Sequence, residues 1–111
     1  TKIRKAAEFD GPAYIHVYSV CPTGWRVPPN FTVDLGKLAV ETRLFPMYEV
    51  ENGVYKLNVN PAKPKSVEEY IKPQGRFRHL KPEDIAEIQA NVDANWKKLM
   101  ARIEASKAAV E

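Results

Sequence analysis

Only one cysteine occurs in the 111 residues, so no internal disulfide can form and a disulfide-stapled secreted scaffold is excluded. That usage fits a cytoplasmic chain. Glycine is scarce, with five residues, and none lies in a Gly-rich phosphate-binding loop. Paired-cysteine motifs and an HExxH helix are also missing. No apolar run approaches the ~20 residues needed to span a bilayer, and no signal-peptide pattern is evident. Neither charge sign dominates: 17 basic and 14 acidic residues leave a net charge of +3. Lys97, Lys98 and Arg102 are interleaved with Glu83, Asp84, Glu87 and Glu104, so no basic stripe of the nucleic-acid-binding kind is present. There are no internal repeats, and no Ser or Cys nucleophile with a partnered base can be assembled.

What is present is ordinary for a folded chain, with 44% hydrophobic and 28% charged residues. The length permits one small domain, below the size at which a single core is comfortably stable. Thr1 to Phe9 reads as two turns of helix stopped by Asp10-Gly11-Pro12. Two turns are too few to stand alone, and no initiating Met precedes them. They are expected to be the tail of a longer helix, a trimmed terminus being the alternative.

Ala13 to Val20 is dense in β-branched and aromatic residues, apolar on both alternating sets. That pattern predicts a central parallel strand buried on both faces, although no parallel partners are evident. Cys21 to Asn30 carries three prolines and is expected to be a stiff loop without regular structure. Thr32 is a candidate N-cap with Asp34 in the first turn, and Leu35, Leu38, Ala39 and Thr42 follow helical spacing until Pro46.

Asn52-Gly53 predicts a type I′ turn. It joins strands that place Val50 opposite Tyr55 and Tyr48 opposite Leu57 on a buried face, with Glu49 opposite Lys56 on a wet one. After the linker-like Asn60 to Lys65, Ser66 and Glu69 suggest a capping box on a short helix ended by Pro73 and Gly75. Gln74 to Leu80 is expected to be irregular. Pro82 opens a long helix whose apolar stripe runs Ile85, Ile88, Val92, Trp96, Leu99, Ile103. Six positions suggest a helix that docks on something rather than a core element.

Candidates for chemistry are few. Cys21 follows the expected strand, where open α/β sheets place ligands. A lone cysteine is more often a small apolar residue, and one thiolate cannot hold an iron–sulfur cluster, which takes about four. Position alone leaves both readings open. His16 reads as hydrogen-bonded structure, and His79 sits in the basic loop. Arg76, Arg78 and Lys81 could meet an anion or form a solvated cluster. Trp25 and Trp96 read as packing anchors.

Several segments in one order nevertheless resemble a known family. Asp10-Gly11-Pro12-Ala13-Tyr14-Ile15-His16-Val17, then Cys21-Pro22-Thr23-Gly24-Trp25, resembles the β subunit of multisubunit pyruvate:ferredoxin oxidoreductases. Leu38-Ala39-Val40-Glu41-Thr42, Pro46 to Gly53, Val67-Glu68-Glu69-Tyr70, Gln74 to Leu80 and the final helix continue the match. The resemblance implies the C-terminal fragment of a thiamine-diphosphate-binding α/β domain, with residues 1–59 ending that domain and 60–111 forming a docking extension. It implies thiamine diphosphate, Mg²⁺ and a 4Fe-4S cluster in the complete subunit. The reaction would be oxidative decarboxylation of pyruvate with coenzyme A, electrons passing through the cluster to ferredoxin.

Of the cofactor ligands, the resemblance carries only Cys21 onto this sequence, as one cluster ligand. It also implies that Pro22 and Gly24 shape the approach. Expected partners are the other subunits of the complex, ferredoxin, pyruvate and coenzyme A, and the segment alone would be inactive. Relatives acting on 2-oxoisovalerate, 2-oxoglutarate, indolepyruvate or oxalate are alternatives, as is a small non-enzymatic interaction module.

Overall fold

The computed structural model describes residues 1–110, the side chain of residue 110 excepted. Its elements are α1 (Lys2–Ala7), α2 (Pro22–Trp25), α3 (Thr32–Glu41), β1 (Tyr48–Glu51), β2 (Val54–Leu57), α4 (Val67–Ile71) and α5 (Pro82–Val110). Single 3₁₀ turns lie at Pro29–Phe31 and Gly75–Phe77. This is an α/β fragment with one antiparallel hairpin and a long C-terminal helix, as expected. Among the described residues, no helix is long and apolar enough to cross a membrane.

The hairpin forms in the register that Asn52-Gly53 imposes, with Tyr48 opposite Leu57, Glu49 opposite Lys56 and Val50 opposite Tyr55. Both turn residues have positive φ, 51° at Asn52 and 79° at Gly53, as a type I′ turn requires. The apolar face is only half covered. Tyr55 and Leu57 pack beside Trp96, Leu99 and Ile103, whereas Tyr48 and Val50 stay exposed. The cause is placement, since α5 crosses β2.

The long helix corrects the sequence expectation most clearly. Its stripe is a core element of this chain, contrary to the expectation. Val92 joins Val27, Leu35, Ala39, Val67, Tyr70 and Ile71 in one cluster, and Trp96, Leu99 and Ile103 form a second under the hairpin. Each buried side chain of this size contributes ~1.5–3 kcal/mol. Polar side chains on α5 complete the seam. The Val67 N–H donates to Gln89 Oε1 (2.8 Å), and the Tyr55 N–H donates to Ser106 Oγ (3.0 Å).

Four smaller expectations also change. Ala13 to Val20 forms no strand. No neighbouring strand among the described residues supplies ladder bonds, so β propensity has nothing to pair with. Tyr14 is 86% and Val17 72% exposed, while Tyr18 and Val20 reach the core. The Pro-rich loop does hold regular turns, because Pro22 and Pro29 each occupy a first helical position, where a missing N–H costs nothing. Thr32 is the first residue of α3 rather than its cap: Phe31 is the N-cap, and Thr32 Oγ1 donates to the Pro29 carbonyl (2.7 Å). Ser66 does cap α4, but it accepts from the Glu68 N–H (3.3 Å) and not from that of Glu69, so the capping box is incomplete.

Helix α1 buries no residue and is tied to the hairpin by charge. Lys5 Nζ lies 3.0 Å from both Glu49 and Glu51, and Lys2 Nζ donates to Asn58 Oδ1 (2.7 Å). The hydrogen bond from Lys5, opposed by partial desolvation, holds the Glu49 carboxyl below its ordinary range. A depressed carboxylate stabilises above its unfolded value and loses that contribution as pH falls through its folded value. Protection of the Lys5 to Glu8 amides, normalised to the intrinsic exchange rate at each pH, is therefore expected to fall below about pH 4, and Glu49→Gln should show that loss already at neutral pH. Exchange unchanged in the variant would mean that this ion pair does not retain α1.

Leu35 is 0% exposed and Val33 69%, on opposite flanks of α3. Leu35→Ala should cost about 2–5 kcal/mol and Val33→Ala under about 0.5 kcal/mol in guanidinium titrations. Equal costs would contradict the burial.

Candidate functional site

Cys21 is a free thiol on the surface, and its surroundings are built locally. Cys21 is the extended N-cap of α2, and its carbonyl accepts from the Trp25 N–H (2.9 Å). Arg26 then adopts the left-handed conformation (φ 56°), which reverses the chain so that the Val27 N–H reaches the Pro22 carbonyl (3.0 Å) and Val27 enters the core. Gly24 leaves the sulfur room: a Cβ there would sit 3.2 Å from Cys21 Sγ, tighter than ordinary packing. Pro22 and Gly24 thus shape access to the thiol from opposite requirements, one stiffening the turn and one emptying space beside it.

Behind the turn stands an aromatic wall. The Tyr18 ring is 5.8 Å from that of Trp25 and 5.1 Å from that of Phe45. Its hydroxyl shares a 2.6 Å hydrogen bond with that of Tyr70. Burial, and then this bond, raise the Tyr18 phenol far above its ordinary value, so it stays protonated. His16 is exposed and edge-on to Phe45 (5.1 Å), outside any strand, and not in the buried, hydrogen-bonded setting expected from the sequence.

The 74–80 segment, expected to be irregular, contains the 3₁₀ turn Gly75–Phe77 packed on α2. Gln74 is 1% exposed, donating through Nε2 to the Tyr70 carbonyl (2.7 Å) and accepting from Arg76 Nε (2.7 Å). The Arg76 guanidinium lies over Trp25, 3.9 Å from the ring centroid, and 4.4 Å from that of Phe77. The three cations singled out from the sequence are therefore divided. Arg76 is half-buried in this stack, whereas Arg78 and Lys81 are exposed, as is His79. Trp96 is a buried anchor beneath the Arg43 guanidinium (4.3 Å).

The sequence did not reveal Tyr18, Tyr70, Gln74 and Gly75 as neighbours of the Cys21 turn. The only available signal was the pair of isolated glycines, Gly24 and Gly75, each at a close approach.

Chemically, the arrangement offers one accessible soft donor with cleared space and a rigid aromatic backing. Among the described residues no three His, Cys, Asp or Glu side chains gather to hold a metal ion. The described residues thus supply a single exposed thiol donor and no complete metal site. The described residues do not fit a complete Mg²⁺ and thiamine diphosphate site.

No family model matches the chain. Similar proteins include the pyruvate synthase subunit PorB of Methanocaldococcus jannaschii, 49% identical over 98 residues that span 88% of this chain and 33% of the relative. The ketoisovalerate oxidoreductase subunit VorB of Pyrococcus abyssi is 46% identical over 100 residues, spanning 88% of this chain and 32% of the relative. The PorB subunit of Thermotoga maritima is 46% identical over 111 residues, spanning 96% and 34% respectively. The chain thus spans about one third of the length of the curated relatives it matches.

A Cβ at Gly75 would lie 2.7 Å from Arg26 Cβ and 3.2 Å from its carbonyl oxygen. The Gly75 N–H donates to that same oxygen (3.0 Å), so the two backbones cannot simply part. Gly75→Ala is expected to destabilise by about 1–3 kcal/mol and to broaden the Trp25 side-chain NMR signals. A variant as stable as the parent, with unchanged signals, would show the approach to be unimportant.

Proposed function

The chain belongs to the family of the pyruvate synthase PorB and ketoisovalerate oxidoreductase VorB subunits, and we propose that it is the C-terminal third of such a β subunit. The complete enzyme is a pyruvate:ferredoxin oxidoreductase, a cytoplasmic complex with further subunits, converting pyruvate and coenzyme A to acetyl-CoA and CO₂. The observation that carries this reading is 49% identity to a PorB subunit across 88% of the chain. A second substrate, 2-oxoisovalerate, is favoured by the 46% identity to a VorB subunit. The choice between the two belongs to substrate-pocket residues outside this chain.

In this reading residues 1–59 complete the thiamine-diphosphate-binding α/β domain. Residues 60–111 are its docking extension, with α5 folded back on the hairpin. Tyr14, Ile15 and Val17, exposed here, are covered by the rest of the subunit. Thiamine diphosphate with Mg²⁺ supplies carbanion-stabilising chemistry, and a 4Fe-4S cluster supplies one-electron transfer to ferredoxin.

The part played by this chain is narrower. Cys21 gives one thiolate to the cluster, and Gly24 leaves the space beside the sulfur in which iron can approach. Trp25, Tyr18 and Phe45 back the turn and exclude water from that side. A thiolate held in a drier setting is one of the levers that set cluster potential. Tyr18 stays a neutral phenol at physiological pH, so it adds no charge behind the cluster.

The test is Cys21→Ala in the complete oxidoreductase, prepared anaerobically. Iron content should fall by about one cluster, because about four ligands are needed, and pyruvate- and CoA-dependent ferredoxin reduction should collapse. Undiminished iron together with parental ferredoxin reduction would sink the ligand assignment.

A further inference from the structure

The turn that bears Cys21 is a four-residue helix, far too short to persist by its own hydrogen bonds. Its far end is gripped by a segment distant in sequence. The Gly75 N–H donates to the Arg26 carbonyl (3.0 Å), and the Arg76 guanidinium covers the Trp25 ring at 3.9 Å. Arg76 is itself immobilised. Phe77 lies against it at 4.4 Å, and its Nε donates to Gln74 Oε1 (2.7 Å), a side chain that is 1% exposed and anchored on the Tyr70 carbonyl.

We propose that Arg76 is a positioning residue for the Cys21 thiolate, acting through Trp25; this rests on the assignment of Cys21 as a cluster ligand. Trp25 closes the helical turn that begins at Cys21, through its N–H to the Cys21 carbonyl (2.9 Å). Holding the indole therefore holds the backbone turn from which the sulfur projects. Only a planar guanidinium can stack on two rings while donating an in-plane Nε–H to Gln74. A lysine ammonium keeps the charge but loses the stacking and the fork. The role is thus separable from simple electrostatics: Arg76→Lys removes the clamp and preserves the cation. Arg76 is half-buried at the surface, so the exchange is compatible with folding.

The experiment uses the complete oxidoreductase complex and two readouts besides turnover, the rate of iron release to a chelator and the EPR spectrum of the reduced cluster. Arg76→Lys and Trp25→Leu should each release iron about 10–100-fold faster, the usual cost of losing a support behind a metal ligand, with an altered EPR signal. The double variant should be no worse than the more severe single one, because both break the same contact. Trp25→Phe, which keeps a ring face under the guanidinium, should restore most of the slow release. Native release and a native spectrum in Arg76→Lys would overturn the proposal, as would additive effects in the double variant. Cys21→Ala, which leaves no donor atom, separates the two levels. If it keeps the parental cluster signal, the ligand assignment itself fails. If it loses the cluster while Arg76→Lys is indistinguishable from the parent, only the positioning role fails.

Discussion

The burial of one stripe of α5 is the constraint on which the rest depends. A two-stranded hairpin is marginal in water by itself, and α1, α2 and α4 have six residues or fewer, well below the length at which helices persist alone. None of these pieces can stand until an apolar surface spans them. Val92 supplies it to α3 and α4, and Trp96, Leu99 and Ile103 supply it to β2. The Gln89 and Ser106 side chains then satisfy backbone N–H groups that this packing would otherwise strand at the ends of α4 and β2.

The Cys21 turn lies outside that seam and is stabilised differently. Its inner end is anchored by Val27 in the core and its outer face by stacking on Arg76. Contacts of the cation–aromatic kind are worth only ~0.5–2 kcal/mol, so their value here is directional. A flexible cysteine would have to lose side-chain and loop entropy each time it bound a metal. A cysteine whose turn is already held loses less. In the proposed role as a cluster ligand, exposure of the thiol would permit ligation and the held turn would aim it.

The exposed segment Ala13 to Val17 follows from the same physics by subtraction. Its residues have the composition of a buried strand, yet hydrogen bonding in a sheet is a two-body matter, and composition cannot create the neighbour. The chain corresponds to about one third of the length of its relatives, and the segment keeps its strand-like pattern without a ladder. Tyr18 and Val20, at its C-terminal end, show where the chain's own core begins to claim it.

Local rules in the sequence determined the elements whose geometry is settled within a few residues. The Asn52-Gly53 turn dictated the hairpin and its register, since two adjacent positive φ angles leave the strands no other pairing. Pro82 followed by two acidic residues marked where α5 starts, and the period of its apolar residues marked which face would be buried. The position of Cys21 beside Pro22 and Gly24 was also legible. Only tertiary structure decided what that face of α5 buries against, because an apolar stripe specifies burial but not its partner. It alone decided that the segment from Ala13 has no ladder, for pairing depends on a neighbour that sequence pattern cannot supply. And it alone brought Gln74, Gly75 and Arg76 onto the Cys21 turn, since a contact between distant segments is set by how helices pack and leaves no periodic trace in either one.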